Sequence, residues 1–253
     1  MLIKDILTID LSEDIKNVID LEDLSETAIQ SEIENYIITD GLAAEYTSFV
    51  SVFSSNIIET GVWISGFYGS GKSYFGKLLG YLMSNRIICG TPARDRILQR
   101  FTGINDEALV KNTIARLNGI NTRVVFLDIA KQDTSKGLPY ALFRNFLKSL
   151  ELPENEHGFL LFSLMCNSKY SNTADFVQDK IGKSWNEIKS NRILYISSIK
   201  EIYLNSGSSE TDYNSVLTTI RREIDEFGAS KLKEELATYF KAVTDEKVVF
   251  LFD

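Results

Sequence analysis

The chain has 253 residues, 44% hydrophobic and 25% charged, which excludes a disordered or low-complexity segment. Its 27 lysine and arginine residues face 35 aspartate and glutamate residues, and the formal charge of −8 argues against a basic nucleic-acid-binding surface. No apolar run reaches the roughly 18 residues of a membrane span, and Asp5 and Asp10 interrupt any signal-peptide-like start. We therefore expect a cytoplasmic, globular protein without a membrane anchor.

Two helices are predicted ahead of the first glycine-rich motif. Residues 21–36 carry apolar side chains at helical spacing. After Asp40, a second apolar stripe recurs along one helix face and consists of Leu42, Tyr46, Phe49, Val50 and Phe53. We expect residues 1–58 to form an amino-terminal helical segment that packs on an ATPase core at residues 59–253.

Three apolar runs have the character of buried strands, at residues 61–65, 122–128 and 247–253. Helices are predicted at residues 74–83, 105–117, 139–150, 175–181, 185–204 and 213–243. This order predicts an α/β fold of the P-loop NTPase type (AAA+/ASCE-like), with three layers, a mainly parallel sheet and a long helical insertion at about 139–243. Because a parallel sheet needs both faces covered and the chain stops on its last strand, we expect a core that is incomplete at its carboxyl end.

The strongest functional signal is a phosphate-binding motif at residues 66–73. It matches G-x-x-x-x-G-K-[ST] without departure, and its residues are Gly66, Phe67, Tyr68, Gly69, Ser70, Gly71, Lys72 and Ser73. A predicted strand precedes the motif and a predicted helix follows it, as in loops that hold phosphates. The alternative is a glycine turn with a surface lysine, which gives no reason for Gly-Lys-Ser to stand at such a junction.

The residue types of this motif suit a nucleoside triphosphate. Its three glycines can adopt backbone angles closed to other residues and so turn amide N–H groups toward phosphates. Lys72 is predicted to reach the β- and γ-phosphates, and the Ser73 hydroxyl to bind Mg²⁺. The other three motif residues contribute mainly backbone amides. The motif therefore predicts ATP or ADP with Mg²⁺ as cofactors.

A second acid is needed at the end of a neighbouring strand to hold Mg²⁺, and Asp128 and Asp253 each follow an apolar run. We favour Asp253 because its strand is the more apolar, and we assign it a metal-binding and catalytic role with Lys72. Asp128 stays the alternative, as the tip of another strand at the same crevice. For either residue, the non-functional interpretation is a carboxylate in an ordinary turn.

A few other polar residues carry weaker signals. His157 lies in a polar stretch and is expected to be a solvated loop residue. Two sets of arginines are candidates for an arginine finger, although solvated helix faces explain them better: Arg94, Arg96 and Arg100, and Arg221 with Arg222.

A family resemblance rests on the segment from Gly61 to Phe75, which reads Gly-Val-Trp-Ile-Ser-Gly-Phe-Tyr-Gly-Ser-Gly-Lys-Ser-Tyr-Phe. It resembles the phosphate-loop segment of the BrxC (PglY) family, the large ATPases of bacteriophage-exclusion (BREX) defence systems. Residues 2–6, 36–40 and 248–253 are also similar to that family's amino-terminal region. Members of the family are far longer than this chain, which agrees with the expectation of a fragment.

The resemblance implies an AAA+-like ATPase that acts with other BREX components, including a DNA methyltransferase, to modify host DNA and block phage replication. Lys72 matches the family's phosphate lysine, Ser73 its metal-binding hydroxyl and Asp253 the acid of its second motif. One departure is that the acid expected immediately after Asp253, which polarises the attacking water, is absent from this chain. We expect the protein to contact DNA indirectly, or through domains outside this chain.

Three functions remain open on the sequence. The first is an ATP-hydrolysing motor or switch, and the second is a nucleotide-gated module that controls homo-oligomerisation with little hydrolysis. The third is a P-loop kinase, since such kinases share the motif. The long helical region between Asp128 and Lys247 and the lack of a recognisable arginine lid count against a kinase.

Overall fold

A computed structural model describes residues 19–55 and 61–253 of the chain. α-Helices dominate the described part. Their bounds are α1 Glu26–Asn35, α2 Asp40–Ser54, α3 Lys72–Ser84, α4 Ala93–Arg100, α5 Glu107–Ile114, α6 Leu138–Ser149, α7 Glu156–Asn167, α8 Thr173–Ile181, α9 Trp185–Lys189, α10 Arg192–Asn205, α11 Glu210–Asp225 and α12 Ala229–Ala242. Residues 2–6, which contribute to the family resemblance, lie outside the described residues.

The described residues form two small sheets. Strands β1 (Ile87–Ile88) and β2 (Thr91–Pro92) make a short antiparallel pair. Strands β3 (Asn121–Leu127) and β4 (Glu246–Phe252) make a parallel pair in continuous register along their whole length. β3 and β4 confirm two of the three predicted strands, each shifted by one residue.

The predicted fold class is wrong. In the described part of the chain the strands form only two-stranded sheets, and a three-layer P-loop NTPase fold with a mainly parallel sheet is not formed. Residues 61–65, predicted as a buried strand, have no strand pairing and are all exposed. Trp63 alone is 87% exposed. An apolar run of this length becomes a strand only where a neighbouring backbone pairs with it, which the local pattern cannot reveal.

The β3–β4 pair separates two hydrophobic clusters. Because side chains alternate between the faces of a strand, successive residues of both strands pack in opposite directions. One face contributes Val124, Phe126, Val249 and Leu251 to the cluster built by α1 to α5. The other contributes Val125, Val248 and Phe250 to the cluster built by α6 to α12. The expected division at residues 58 and 59 stays a prediction.

Side-chain caps explain several helix boundaries. Ser209 and Asp212 form a reciprocal capping box at the start of α11. The Asn191 side chain accepts hydrogen bonds from the amides of Ile193 and Leu194 at the start of α10. This cap divides the continuous helix predicted over residues 185–204 into α9 and α10. Residues 213–243 are likewise divided, because α11 ends at Asp225 and α12 begins at Ala229.

Helix α3 lies closely against β3, and Gly80 permits this approach. A Cβ atom at Gly80 would lie 2.4 Å from Cζ of Phe126 and 3.3 Å from Cγ1 of Val124.

We expect Gly80→Ala to lower the free energy of unfolding by about 1–3 kcal/mol, because the buried Phe126 ring must shift. Chemical denaturation tests this. Gly207→Ala is not a suitable control, since Gly207 has a φ of 92°. Gly61, with open space at its Cβ position, is suitable.

Candidate functional site

The phosphate-binding motif forms an exposed turn that leads directly into α3. Gly69 and Gly71 have φ angles of 76° and 82°, in the left-handed region that glycine adopts without strain. The amide of Ser70 donates to the carbonyl of Phe67 at 3.1 Å and closes the turn. The amide of Phe75 donates to the carbonyl of Gly71 at 2.9 Å and begins the helix. The predicted loop-to-helix junction is therefore present.

Gly66 allows the turn to be tight. A Cβ atom there would lie 2.8 Å from Oγ of Ser70 and 3.6 Å from Cδ of Lys72. The aromatic rings of Phe67 and Tyr68 do not fold into this space, because the two residues are 90% and 104% exposed. The motif consequently directs its large aromatic side chains to solvent.

The head of α3 supplies the chemistry of an anion site. The amides of the first helical turn, from Lys72 to Tyr74, have no intrahelical acceptors, and the helix dipole places partial positive charge there. Every residue from 61 to 71 is exposed, so a ligand can reach this end. Such a terminus favours a phosphate group.

The Lys72 ammonium lies over the loop that precedes it. Its Nζ donates to the carbonyl of Phe67 at 2.9 Å, and the side chain is partly exposed. A neutral carbonyl is a weaker acceptor for an ammonium than a phosphate oxygen. The Lys72 ammonium can therefore leave the carbonyl of Phe67 and bind a phosphate oxygen instead. This change leaves no buried charge unpaired.

Ser73 and Asp253 meet at the end of the parallel strand pair. The Ser73 hydroxyl donates to Oδ2 of Asp253, although the two residues lie 180 positions apart in sequence. The backbone holds Asp253 in place, because its amide donates to Leu127 at 3.4 Å and its carbonyl accepts from Ile129 at 3.1 Å. A hydroxyl and a carboxylate brought together in this way provide the oxygen ligands that Mg²⁺ prefers.

Asp128 has different partners. Its side chain accepts from the amide of Ala130 at 3.0 Å and lies 3.6 Å from Nζ of Lys131. It thereby caps the short 3₁₀ turn Ile129–Lys131 that follows β3. Between the two acids considered from sequence, the structure places Asp253 against Ser73 and gives Asp128 a local capping role.

An amino-terminal segment, residues 20–23, contacts the same end of the strand pair. Asp20 accepts from Lys131 at 2.7 Å, and Glu22 accepts from the amide of Asp128 at 3.2 Å and from the side chain of Gln132. The hydrogen bond from Lys131 lowers the pKa of Asp20, and the same bond raises the pKa of Lys131. The sequence offered no signal for these contacts, which join residues more than 100 positions apart.

A buried ion pair lies one turn beyond the phosphate loop. Nζ of Lys77, which is fully buried on α3, lies 2.7 Å from Oε1 of Glu32 on α1. Oε2 of Glu32 accepts from the Tyr81 hydroxyl at 3.0 Å, and its backbone carbonyl accepts from the Tyr74 hydroxyl. Burial and the Glu32 carboxylate raise the pKa of Tyr74 to about 12 and also raise that of Tyr81. The available sequence signal was a lysine among the apolar residues of α3.

Four of the five arginines noted from sequence have partners that the structure shows. Arg94 is buried and donates to the carbonyls of Leu82 and Met83 at the far end of α3 from the loop. Arg96 and Arg100 donate to backbone carbonyls, and Arg221 pairs with Glu156. Arg94 also lines an open cleft of about 320 Å³ at that far end, away from the phosphate motif.

The expectation for His157 is wrong. His157 lies in the first turn of α7 rather than in a solvated loop, and it is only 8% exposed. Burial lowers the pKa of its imidazole. The polar neighbours that suggested a loop include Asn155, whose side chain caps α7 by accepting from the His157 amide.

Residues 19–55 and 61–253 contain no cluster of three or more histidine, cysteine or acidic side chains suited to a metal ion. Among the helices of those residues, none has both the length and the apolar character that a membrane span requires. No protein-family model matches the chain, and no solved structure matches it either.

Proposed function

We propose that residues 66–73 bind the phosphates of ATP or ADP together with Mg²⁺, and that the protein is an ATP-hydrolysing module. The observation that carries this proposal is the hydrogen bond between Ser73 and Asp253. It brings the last motif residue and a distant strand-end acid to the exposed head of α3. The complete motif at a loop-to-helix junction supports the same interpretation.

Each group has a distinct role in this proposal. The amides at the head of α3 bind β-phosphate oxygens, and Lys72 exchanges its bond to Phe67 for the β- and γ-phosphates. Ser73 and Asp253 would hold Mg²⁺, which when bound would neutralise phosphate charge. Binding therefore depends on the number of phosphates in the nucleotide.

The biological setting proposed is bacteriophage defence in the cytoplasm. It rests on the resemblance of residues 61–75 to the BrxC family, which suggests other BREX components, including a DNA methyltransferase, as partners. With a formal charge of −8, the chain is expected to contact DNA through such partners rather than by itself.

Competition binding tests the proposed ligand class. A fluorescent ADP analogue should be displaced by ADP and ATP in the presence of Mg²⁺, and adenosine should be at least about 100-fold weaker because it makes no phosphate contacts. Phosphate release at saturating ATP then measures hydrolysis. Equal displacement by adenosine and ADP would contradict phosphate recognition by the loop.

A nucleotide-gated assembly module is the second candidate. It is favoured by the partners of the two acids, since Asp253 is bonded to Ser73 and Asp128 caps the turn at Ala130. Both carboxylates are thus bonded to protein groups. In this alternative ADP and ATP bind, phosphate release stays at background, and the oligomeric state measured by light scattering changes with nucleotide.

The two candidate acids can be separated by their effect on Mg²⁺ dependence. We expect Asp253→Asn to weaken Mg–ADP binding by roughly 5- to 20-fold, because a metal-directed carboxylate is lost. Binding of ADP with EDTA should not weaken, since the change removes a negative charge near the phosphates. Asp128→Asn is the matched control and should leave both affinities unchanged. The reverse ranking of the two variants would assign the metal to Asp128.

A further inference from the structure

Helix α3 is attached to the amino-terminal part of the chain along one face. Tyr74, Lys77 and Tyr81 occupy positions separated by three and four residues, so they share that face. All three donate to the same residue, Glu32 of α1. We define Glu32, Lys77 and Tyr81 as the clamp. Lys77, the clamp residue nearest to Ser73 in sequence, follows it by four positions. Both lie on α3, whose amino-terminal end is the proposed phosphate site.

The clamp continues into the segment that precedes α1. Nζ of Lys77 also donates to the backbone carbonyls of Asp20 and Asp23, at 3.0 Å for the latter. The same segment reaches the end of β3 through the Asp20 contact with Lys131. Residues 20–36 are therefore bonded both to the phosphate-binding helix and to the turn after β3.

The chemistry of the clamp makes it sensitive to small displacements. Lys77 is fully buried and Glu32 is 7% exposed, so water does not replace a partner that moves away. A helix is stiff over one turn. If a bound phosphate shifts the amino-terminal end of α3, Lys77 shifts with it. The amino-terminal segment must then follow α3 or lose its charged partner.

We propose that Lys77 and Glu32 are positioning residues that couple nucleotide binding at the head of α3 to the docking of residues 20–36. This inference rests on the proposed nucleotide site. Coupling is reciprocal: if bound nucleotide holds the segment more firmly, a firmly held segment raises nucleotide affinity by the same factor. A clamp that serves only to stabilise the fold does not produce this equality.

Hydrogen–deuterium exchange on the 253-residue chain tests the coupling. With saturating Mg–ADP, amide exchange in residues 26–36 should slow by about fivefold or more. The triple variant Lys77→Met, Glu32→Leu, Tyr81→Phe replaces the clamp by apolar groups and leaves no buried charge unpaired. In that variant, Mg–ADP should no longer slow amide exchange in residues 26–36. Its affinity for Mg–ADP should be lower than that of the unmodified chain, by the same factor by which Mg–ADP slows exchange in the unmodified chain.

Val177→Ala is the control for a general loss of stability, because Val177 is fully buried in the other hydrophobic cluster. It should keep both the affinity and the slowing. The coupling is refuted if the unmodified chain binds ADP without slower exchange in residues 26–36, or if the triple variant keeps the slowing. Failure of the unmodified chain to bind ADP overturns instead the proposed function on which the coupling rests.

Discussion

Lys72→Ala is expected to weaken Mg–ADP binding by about 10- to 150-fold, because a charge-assisted hydrogen bond contributes about 1.5–3 kcal/mol. The free energy of unfolding of the variant should lie within about 0.5 kcal/mol of that of the unmodified chain. Lys72 is partly exposed, and the hydrogen bond that its side chain donates is to Phe67. Calorimetric titration and chemical denaturation measure the two quantities. A loss of binding without a loss of stability identifies a ligand contact.

Lys183→Ala is a suitable control for this variant. Lys183 is exposed and pairs with Glu201 at 2.6 Å, far along the chain from the phosphate motif. It should leave Mg–ADP binding unchanged. Binding by Lys72→Ala that equals that of the Lys183→Ala control would remove Lys72 from the site. In cells, Lys72→Ala should also abolish any phage restriction that depends on nucleotide.

Lys77→Met is expected to destabilise the protein most strongly. Removing the cation leaves the Glu32 carboxylate buried and unpaired, which costs about 3–5 kcal/mol. For a chain of this size, the loss corresponds to a fall in Tm of roughly 6–20 °C. Differential scanning calorimetry measures the shift. The effect arises from the charge left behind, because a methionine side chain fills nearly the volume of the lysine.

Lys131→Met is the matched control for Lys77→Met. Both lysines lie 2.7 Å from a carboxylate, but Lys131 and its partner Asp20 are 47% and 43% exposed. The same substitution there should shift Tm far less than Lys77→Met does, since solvent screens the pair and hydrates the remaining charge. Equal shifts in Tm for the two variants would show that burial does not govern the contribution of Lys77.

Local patterns in the sequence predicted the elements that local forces determine. The stripe from Leu42 to Phe53 became α2, and two of the three runs predicted as strands became β3 and β4. The phosphate motif was assigned to a loop that starts a helix, and α3 begins at Lys72 as that assignment requires. The spacing of apolar residues or of glycines marked each of these elements in the sequence, although β3 and β4 also depend on their pairing with each other.

Those local patterns do not show which distant segments of the chain pair with one another. Residues 61–65 resemble a strand by composition, yet they are exposed because no strand pairs with them in the described residues. The fold class was inferred by adding this strand to β3 and β4, and the inference failed with it. The first turn of α7 was missed for a related reason, since the polar residues around His157 that form its cap also resemble a loop.

The candidate site divides in the same way. The motif residues were readable one by one, and preference for Asp253 over Asp128 followed from the apolar character of its strand. The partners of Lys77 were not readable, because Glu32 and the carbonyls of Asp20 and Asp23 lie 45 to 57 positions away. Single lysines and glutamates are ordinarily solvated, and only tertiary packing identifies the pair that is buried.

The central claim is that residues 66–73 bind nucleotide phosphates, and calorimetric titration of the 253-residue chain with ADP in Mg²⁺ tests it most directly. The amides at the head of α3, Lys72, Ser73 and Asp253 are all present in this chain, so saturable binding of one ADP per chain is predicted. The affinity should fall when Mg²⁺ is removed. Absence of binding at millimolar ADP with Mg²⁺ would contradict the account.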